Sequence, residues 1–100
     1  MNQDIIALKI SPKAGTGQTA TDAATGGDHT LTVVAGGKYL VTCTTQAVFG
    51  LADVTTAANV RWIVPANFPT IIDLGADSGT TLHYEADVNG GIVRLVQLDV

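Results

Sequence analysis

The sequence predicts an all-β domain: a β-sandwich, jelly-roll-like, of about eight short strands. Three observations predict it. Apolar and polar residues alternate with period two over many short stretches, the pattern of strands with one buried face. Gly, Pro and Asn-Gly clusters fall between those stretches, where such chains turn. Fourteen Thr and eleven Gly suit strands and turns and disfavour helices. One hundred residues make a single domain, able to bury a core with little margin. Eight strands in two sheets is the count of a jelly roll, although a count does not fix topology.

Residues 4–10 read as the first strand, with Ile6, Leu8 and Ile10 on one face and Ile5, Ala7 and Lys9 on the other. Pro12 then stops ladder pairing. Residues 11–29 carry no Val, Ile, Leu, Met or aromatic side chain; four Gly, four Ala and four Thr make up most of them. Such a stretch cannot anchor itself in a core, and it reads either as a flexible loop or as an extended arm that orders on a neighbour.

Residues 30–34 form a short strand, Ala35-Gly36-Gly37 turns the chain, and residues 38–45 return with Tyr39, Val41 and Cys43 on one face. Together they predict a hairpin. Residues 46–51 follow with Ala47, Phe49 and Leu51 in line. Residues 52–59 suit either a loop or one helical turn. Residues 60–64 are a strand carrying Trp62. Pro65 and Pro69 then bracket a non-helical bend, and residues 70–74 are a further strand before the Gly75–Gly79 turn.

The strongest local pattern closes the chain. Leu82, Tyr84, Ala86 and Val88 alternate with His83, Glu85 and Asp87. Asn89-Gly90-Gly91 supplies the positive φ values of a tight turn. Residues 92–100 alternate again, and a second hairpin is predicted, with Val96 and Leu98 on its inward face and Leu82 and Tyr84 opposite.

Charge narrows the function classes. The formal net charge is −4, from nine acids and five bases, with no Lys/Arg cluster. Nucleic acid is a poor partner for such a chain, because its affinity comes largely from neutralising phosphates. Only 14% of residues are charged, against about 25% in an average domain, while 46% are hydrophobic. That balance favours a surface covered by another subunit over a compact monomer with a Thr-rich exterior. Cys43 has no partner for an intrachain disulfide and suits a reducing compartment. The first ten residues lack the features of a signal peptide, and no apolar run approaches the eighteen or so residues of a membrane span.

Chemistry is sparse. His29 and His83 have no metal-ligand spacing, and His83 falls on the polar face of its strand. Ser11 and Ser78 lack a nucleophile-elbow context, and Cys43 lacks a neighbouring base. No enzyme and no cofactor is expected. Asp73 and Asp77 are the candidate ligands for a hard cation, although Asp-Gly-Ser clusters are common simply as turns. Trp62 and Phe68 are the aromatics whose burial the alternation does not assign, and together they would make a sugar-stacking pair. Leu40, Val48 and Ile63 lie on the parity opposite the core and, with Trp62 and Phe68, are the candidate subunit or partner contacts.

Three stretches carry a family resemblance: GGKYLVTCTTQAVFGL from Gly37, RWIVPANFPTIIDLG from Arg61, and GTTLHYEADVNGGIVRLVQL from Gly79. Their order, a Gly-Lys-Tyr strand, a Pro-bracketed bend and a closing Gly-rich turn, resembles small β-rich capsid decoration (cement) proteins of tailed bacteriophages. The resemblance covers residues 37–98 and transfers no single functional residue. It implies a structural virion protein on the outer capsid, made in the host cytoplasm, bound to the major capsid protein and assembled with itself, most often as a trimer. Residues 11–29 would then resemble an arm that grips the shell. The alternative is a carbohydrate-binding β-sandwich of a phage fibre or host-recognition protein.

Overall fold

The computed structural model describes residues 11–21 and 27–99. It is a β-sandwich of two four-stranded antiparallel sheets. The strands are β1 (Gln18–Thr21), β2 (His29–Thr32), β3 (Lys38–Cys43), β4 (Ala47–Gly50), β5 (Val60–Val64), β6 (Thr70–Asp73), β7 (Thr81–Ala86) and β8 (Ile92–Gln97). One sheet has the order β1-β8-β3-β6, the other β2-β7-β4-β5. A 3-10 turn at Ala57–Asn59 is the one helical element among the described residues. The strand expected over residues 4–10 lies outside the described residues.

The pairing scheme is a folded ribbon. β1 pairs with β8, β2 with β7, β3 with β6 and β4 with β5. Rolling the ribbon up adds the β3–β8 and β4–β7 ladders, each antiparallel.

Both predicted hairpins are corrected by this order. β2 and β3 lie in different sheets, and so do β7 and β8. Gly90 does take the positive φ expected of the turn, at 88°. The connection, however, carries the chain from one layer to the other. Gly91 is buried, and a Cβ there would meet the Thr45 side chain and the Ala86 Cβ. A residue with no side chain is what allows the crossing at that point.

Alternation places the core as expected for β3, β4 and β7. Tyr39, Val41, Cys43, Ala47, Phe49, Leu82, Tyr84 and Ala86 are all buried. Phe49 and Tyr84 pack with ring centroids 6.2 Å apart. β8 is a second correction. Its inward residues are Val93 and Leu95, while Val96 is half-buried on the outer face. The register decides this, because Leu95 is the ladder partner of core residue Val41 and Val96 that of outward Leu40. Leu98 is buried, but outside the main core cluster, where Pro12 bridges it beyond the end of β8.

The segment expected as an arm or loop is partly strand. Gln18–Thr21 forms the edge of the first sheet, in register with Ile92–Leu95. Small and polar side chains suffice there because an edge strand is held by its backbone ladder and buries little. Ala20 alone packs against the core from this strand.

Candidate functional site

The chemistry-bearing side chains lie on the outer faces and at the loop ends. On the β2-β7-β4-β5 sheet, Val48 is the ladder partner of Ile63 on one side and of Glu85 on the other. Ile63 is 58% exposed. Arg61, on the same edge strand, holds its guanidinium 5.5 Å from the Trp62 ring centre.

On the β1-β8-β3-β6 sheet, Leu40 pairs with Ile71 across one ladder and with Val96 across the other. These three make an aliphatic row over three strands. Beside it lies a groove of about 240 Å³, lined by Gly17, Thr19, Leu40, Thr42, Arg94 and Val96. Just before β1 the chain leaves the ladder. Thr16 turns on itself, its hydroxyl donating to the Lys13 carbonyl at 2.7 Å and accepting from the Gln97 N–H at 3.0 Å.

The candidate contact residues therefore do not form one face. Val48 and Ile63 lie together, but Leu40 sits on the opposite side of the sandwich. The reason is that β3 and β4, neighbours in sequence, belong to different sheets. Trp62, whose burial the alternation left open, has core residue Phe49 as its ladder partner and packs half-buried against the core. Phe68 is 61% exposed on the Pro-bracketed bend. The two rings do not form an exposed pair.

Asp73 and Asp77 do not converge with further ligands, and among the described residues no group of three His, Cys, Asp or Glu side chains could hold a metal ion. Asp73 instead caps its own turn, accepting the Gly75 N–H at 3.1 Å, with Lys38 Nζ 3.8 Å away. Ser78 is buried as a loop pin; its hydroxyl accepts the Gly36 N–H at 2.9 Å and donates to the Gly79 carbonyl at 3.1 Å. Burial pushes the Cys43 thiol up to about 11, so it stays protonated and unreactive in the fold.

His83 is not the simple surface residue its polar-face position suggests. Its Nδ1 lies 2.7 Å from Asp28 Oδ2, and both side chains are largely buried. Asp28 Oδ1 also accepts the Val54 N–H at 3.1 Å. Next to it, Glu85 accepts the Gly27 N–H at 3.0 Å. The exposed Asp53 carboxylate accepts both the hydroxyl and the N–H of Thr55, which hold it below the usual carboxylate range. Nothing in the local sequence pairs Asp28 with His83, since the ladder of β2 on β7 brings them together. Arg94 is likewise placed by long-range pairing, between Thr19 of β1 and Thr42 of β3.

Among the described residues no helix is long and apolar enough to cross a membrane. Comparison with protein-family models, curated proteins and solved structures finds no match to the chain.

Proposed function

We propose that the chain is a structural virion protein: a decoration, or cement, protein on the outer capsid of a tailed bacteriophage. It acts as a homo-oligomer, most simply a trimer, bound to the major capsid protein. The observation that carries this reading is the exposure of aliphatic side chains on both outer sheet faces, Ile63 at 58% on one and Ile71 at 42% on the other. Each has an aliphatic ladder partner, Val48 and Leu40. A small domain with two apolar flanks is suited to bridging two bodies. A protein that binds only the assembled shell stabilises it by mass action and needs no pocket chemistry. The resemblance of residues 37–98 to decoration proteins supports the same reading. The carbohydrate-binding alternative required Trp62 and Phe68 exposed together, and Trp62 faces the core.

The test mixes purified protein with emptied heads of the phage that encodes it, and follows co-sedimentation and the temperature at which the heads rupture. Saturable binding and a raised rupture temperature are expected. Ile63→Asp should weaken self-association or head binding at least tenfold, while changing the unfolding free energy by no more than about 0.5 kcal/mol, as for other surface substitutions. A monomer that ignores the heads would end this reading.

A further inference from the structure

The connection between β7 and β8 holds one chemically labile pair in an open position. Asn89 and Gly90 are both exposed, and a Cβ built on Gly90 would meet nothing within 4 Å. The Gly91 N–H donates to the Val88 carbonyl at 3.0 Å, Gly90 has φ 88° and Asn89 has a negative φ, which together make a type II turn. No hydrogen bond among the described residues engages the Gly90 N–H or the Asn89 side-chain amide. Val88, on the other side of Asn89, is 57% exposed. The conformation of the pair is therefore fixed by a single backbone hydrogen bond, from Gly91 to Val88.

The other described asparagines are placed differently. Asn59 donates its side-chain amide to the Asp53 carbonyl at 2.9 Å, and the N–H of the following Val60 is held by the Ala57 carbonyl. Asn67 is followed by Phe68, whose N–H donates to the Pro65 carbonyl at 3.3 Å. In both cases the next nitrogen is committed to a hydrogen bond and its residue carries a bulky side chain. Asparagine is labile because that next nitrogen attacks its Cγ. These features obstruct the attack at Asn59 and Asn67 and are missing at Asn89.

We propose that Asn89 is a modification site, converted in the folded protein to a mixture of aspartate and isoaspartate with water as the co-reactant. The Gly90 nitrogen gives up its proton, and its electron pair forms a bond to Asn89 Cγ. The bond from Cγ to Nδ2 breaks, and that nitrogen leaves as ammonia, taking up a proton. Water then opens the resulting five-membered cyclic imide. Cleavage between the Gly90 nitrogen and Cγ gives aspartate. Cleavage at the main-chain carbonyl gives isoaspartate, whose backbone runs through Cγ and is one carbon longer. Nothing is oxidised or reduced, and either product adds one negative charge. A type II turn holds the Asn89 ψ near about 120°, so the Gly90 nitrogen must first swing towards Cγ. That swing breaks the Gly91–Val88 hydrogen bond and disturbs no packed side chain. The ends of the connection stay pinned, because the Asp87 N–H donates to the Gln46 carbonyl at 2.8 Å and the Ile92 N–H to Thr44 Oγ1 at 2.8 Å. Isoaspartate must fit its longer backbone between those pins, beside a Gly91 that leaves no room for even a Cβ next to Thr45 and Ala86. Aspartate adds only its charge to an exposed turn.

The inference goes beyond the decoration reading and does not depend on it. The experiment incubates the full-length folded protein in mildly alkaline buffer. Proteolysis and mass spectrometry then follow Asn59, Asn67 and Asn89, with the two products separated by chromatography. Asn89 should convert at least tenfold faster than Asn59 or Asn67, and faster still as pH rises, because the attacking nitrogen must lose its proton. Asn89→Gln should slow conversion at this position at least tenfold, since its longer side chain has to close a less favourable six-membered ring. Asn89→Asp, which introduces the charge alone, should unfold at the parent temperature, whereas the isolated isoaspartate form should unfold at a lower one. Equal conversion at the three asparagines overturns the inference. So does an Asn89 that converts in denaturant but not in the folded protein, because the turn would then be a shield. An isoaspartate form as stable as the parent overturns the constraint placed on the crossing.

Discussion

Asp28 and His83, separated by 55 positions, meet with 2.7 Å between Oδ2 and Nδ1. The contact joins the start of β2 to the middle of β7. Through the other carboxylate oxygen it also holds Val54, a buried residue of the β4–β5 connection. One short side chain thus ties three parts of the molecule that the sequence does not associate.

Asp28→Ala should cost about 1 to 3 kcal/mol, because it leaves the Val54 N–H and the His83 ring without their acceptor. Asp28→Asn keeps an acceptor oxygen and should cost less. Chemical denaturation of the two variants measures the difference. Equal stability of Asp28→Ala and the parent would mean that water replaces the carboxylate without loss.

The face of β8 is testable by truncation. Leu95→Ala should cost about 2 to 5 kcal/mol, as for other core truncations. Leu98→Ala, buried beside Pro12, should fall at the lower end of that range. Val96→Ala on the half-buried outer face should cost about 1 kcal/mol or less. A Val96 variant less stable than the Leu95 variant would reverse the assignment of faces.

Two adjacent glycines should respond differently to alanine. At Gly90 the backbone has φ 88° and a Cβ would meet nothing within 4 Å, so strain of about 1 to 2 kcal/mol is the whole cost. At Gly91 the added Cβ would lie 2.9 Å from the Ala86 Cβ and against Thr45. Overpacking typically costs about 1 to 3 kcal/mol, and here the crossing between layers would also shift. Thermal unfolding followed by near-UV circular dichroism should show loss of fixed packing only for Gly91→Ala.

Cys43 gives a pH dependence with a definite sign. Its thiol is raised from 9.0 to about 11 by burial. Between those values the unfolded chain ionises and the folded chain does not, so the unfolded state is favoured as pH rises. The contribution of Cys43 to stability is whole below pH 9 and is lost progressively towards pH 11. Cys43→Ala, although less stable at neutral pH, should lose less stability over that interval. Thiol titration of the native protein at pH 8 should be slow and should accelerate with denaturant. Rapid labelling of the folded protein would contradict the burial.

The sequence by itself determined which residues share a face within most strands. The period of two in Tyr39-Val41-Cys43, in Ala47-Phe49 and in Leu82-Tyr84-Ala86 depends only on the geometry of one extended chain. The same parity pointed Val48 and Ile63 outward. Val60–Val64 was legible to the residue because Pro65 ends it. What only the tertiary structure decided was which strands are neighbours. The Asn89-Gly90-Gly91 turn is compatible with a hairpin, yet β7 and β8 face each other across the core, each with ladder partners on both sides. The local cost of either arrangement is small. The choice is made by burying two inner faces at once, a requirement that no single segment contains. The same holds for β1, whose side chains carry no apolar signal and whose backbone is recruited by the open edge of β8. Leu40 was separated from Val48 and Ile63, and Asp28 brought to His83, by pairing between segments far apart in the chain. That pairing is set by the closure of the whole sandwich and not by any local pattern.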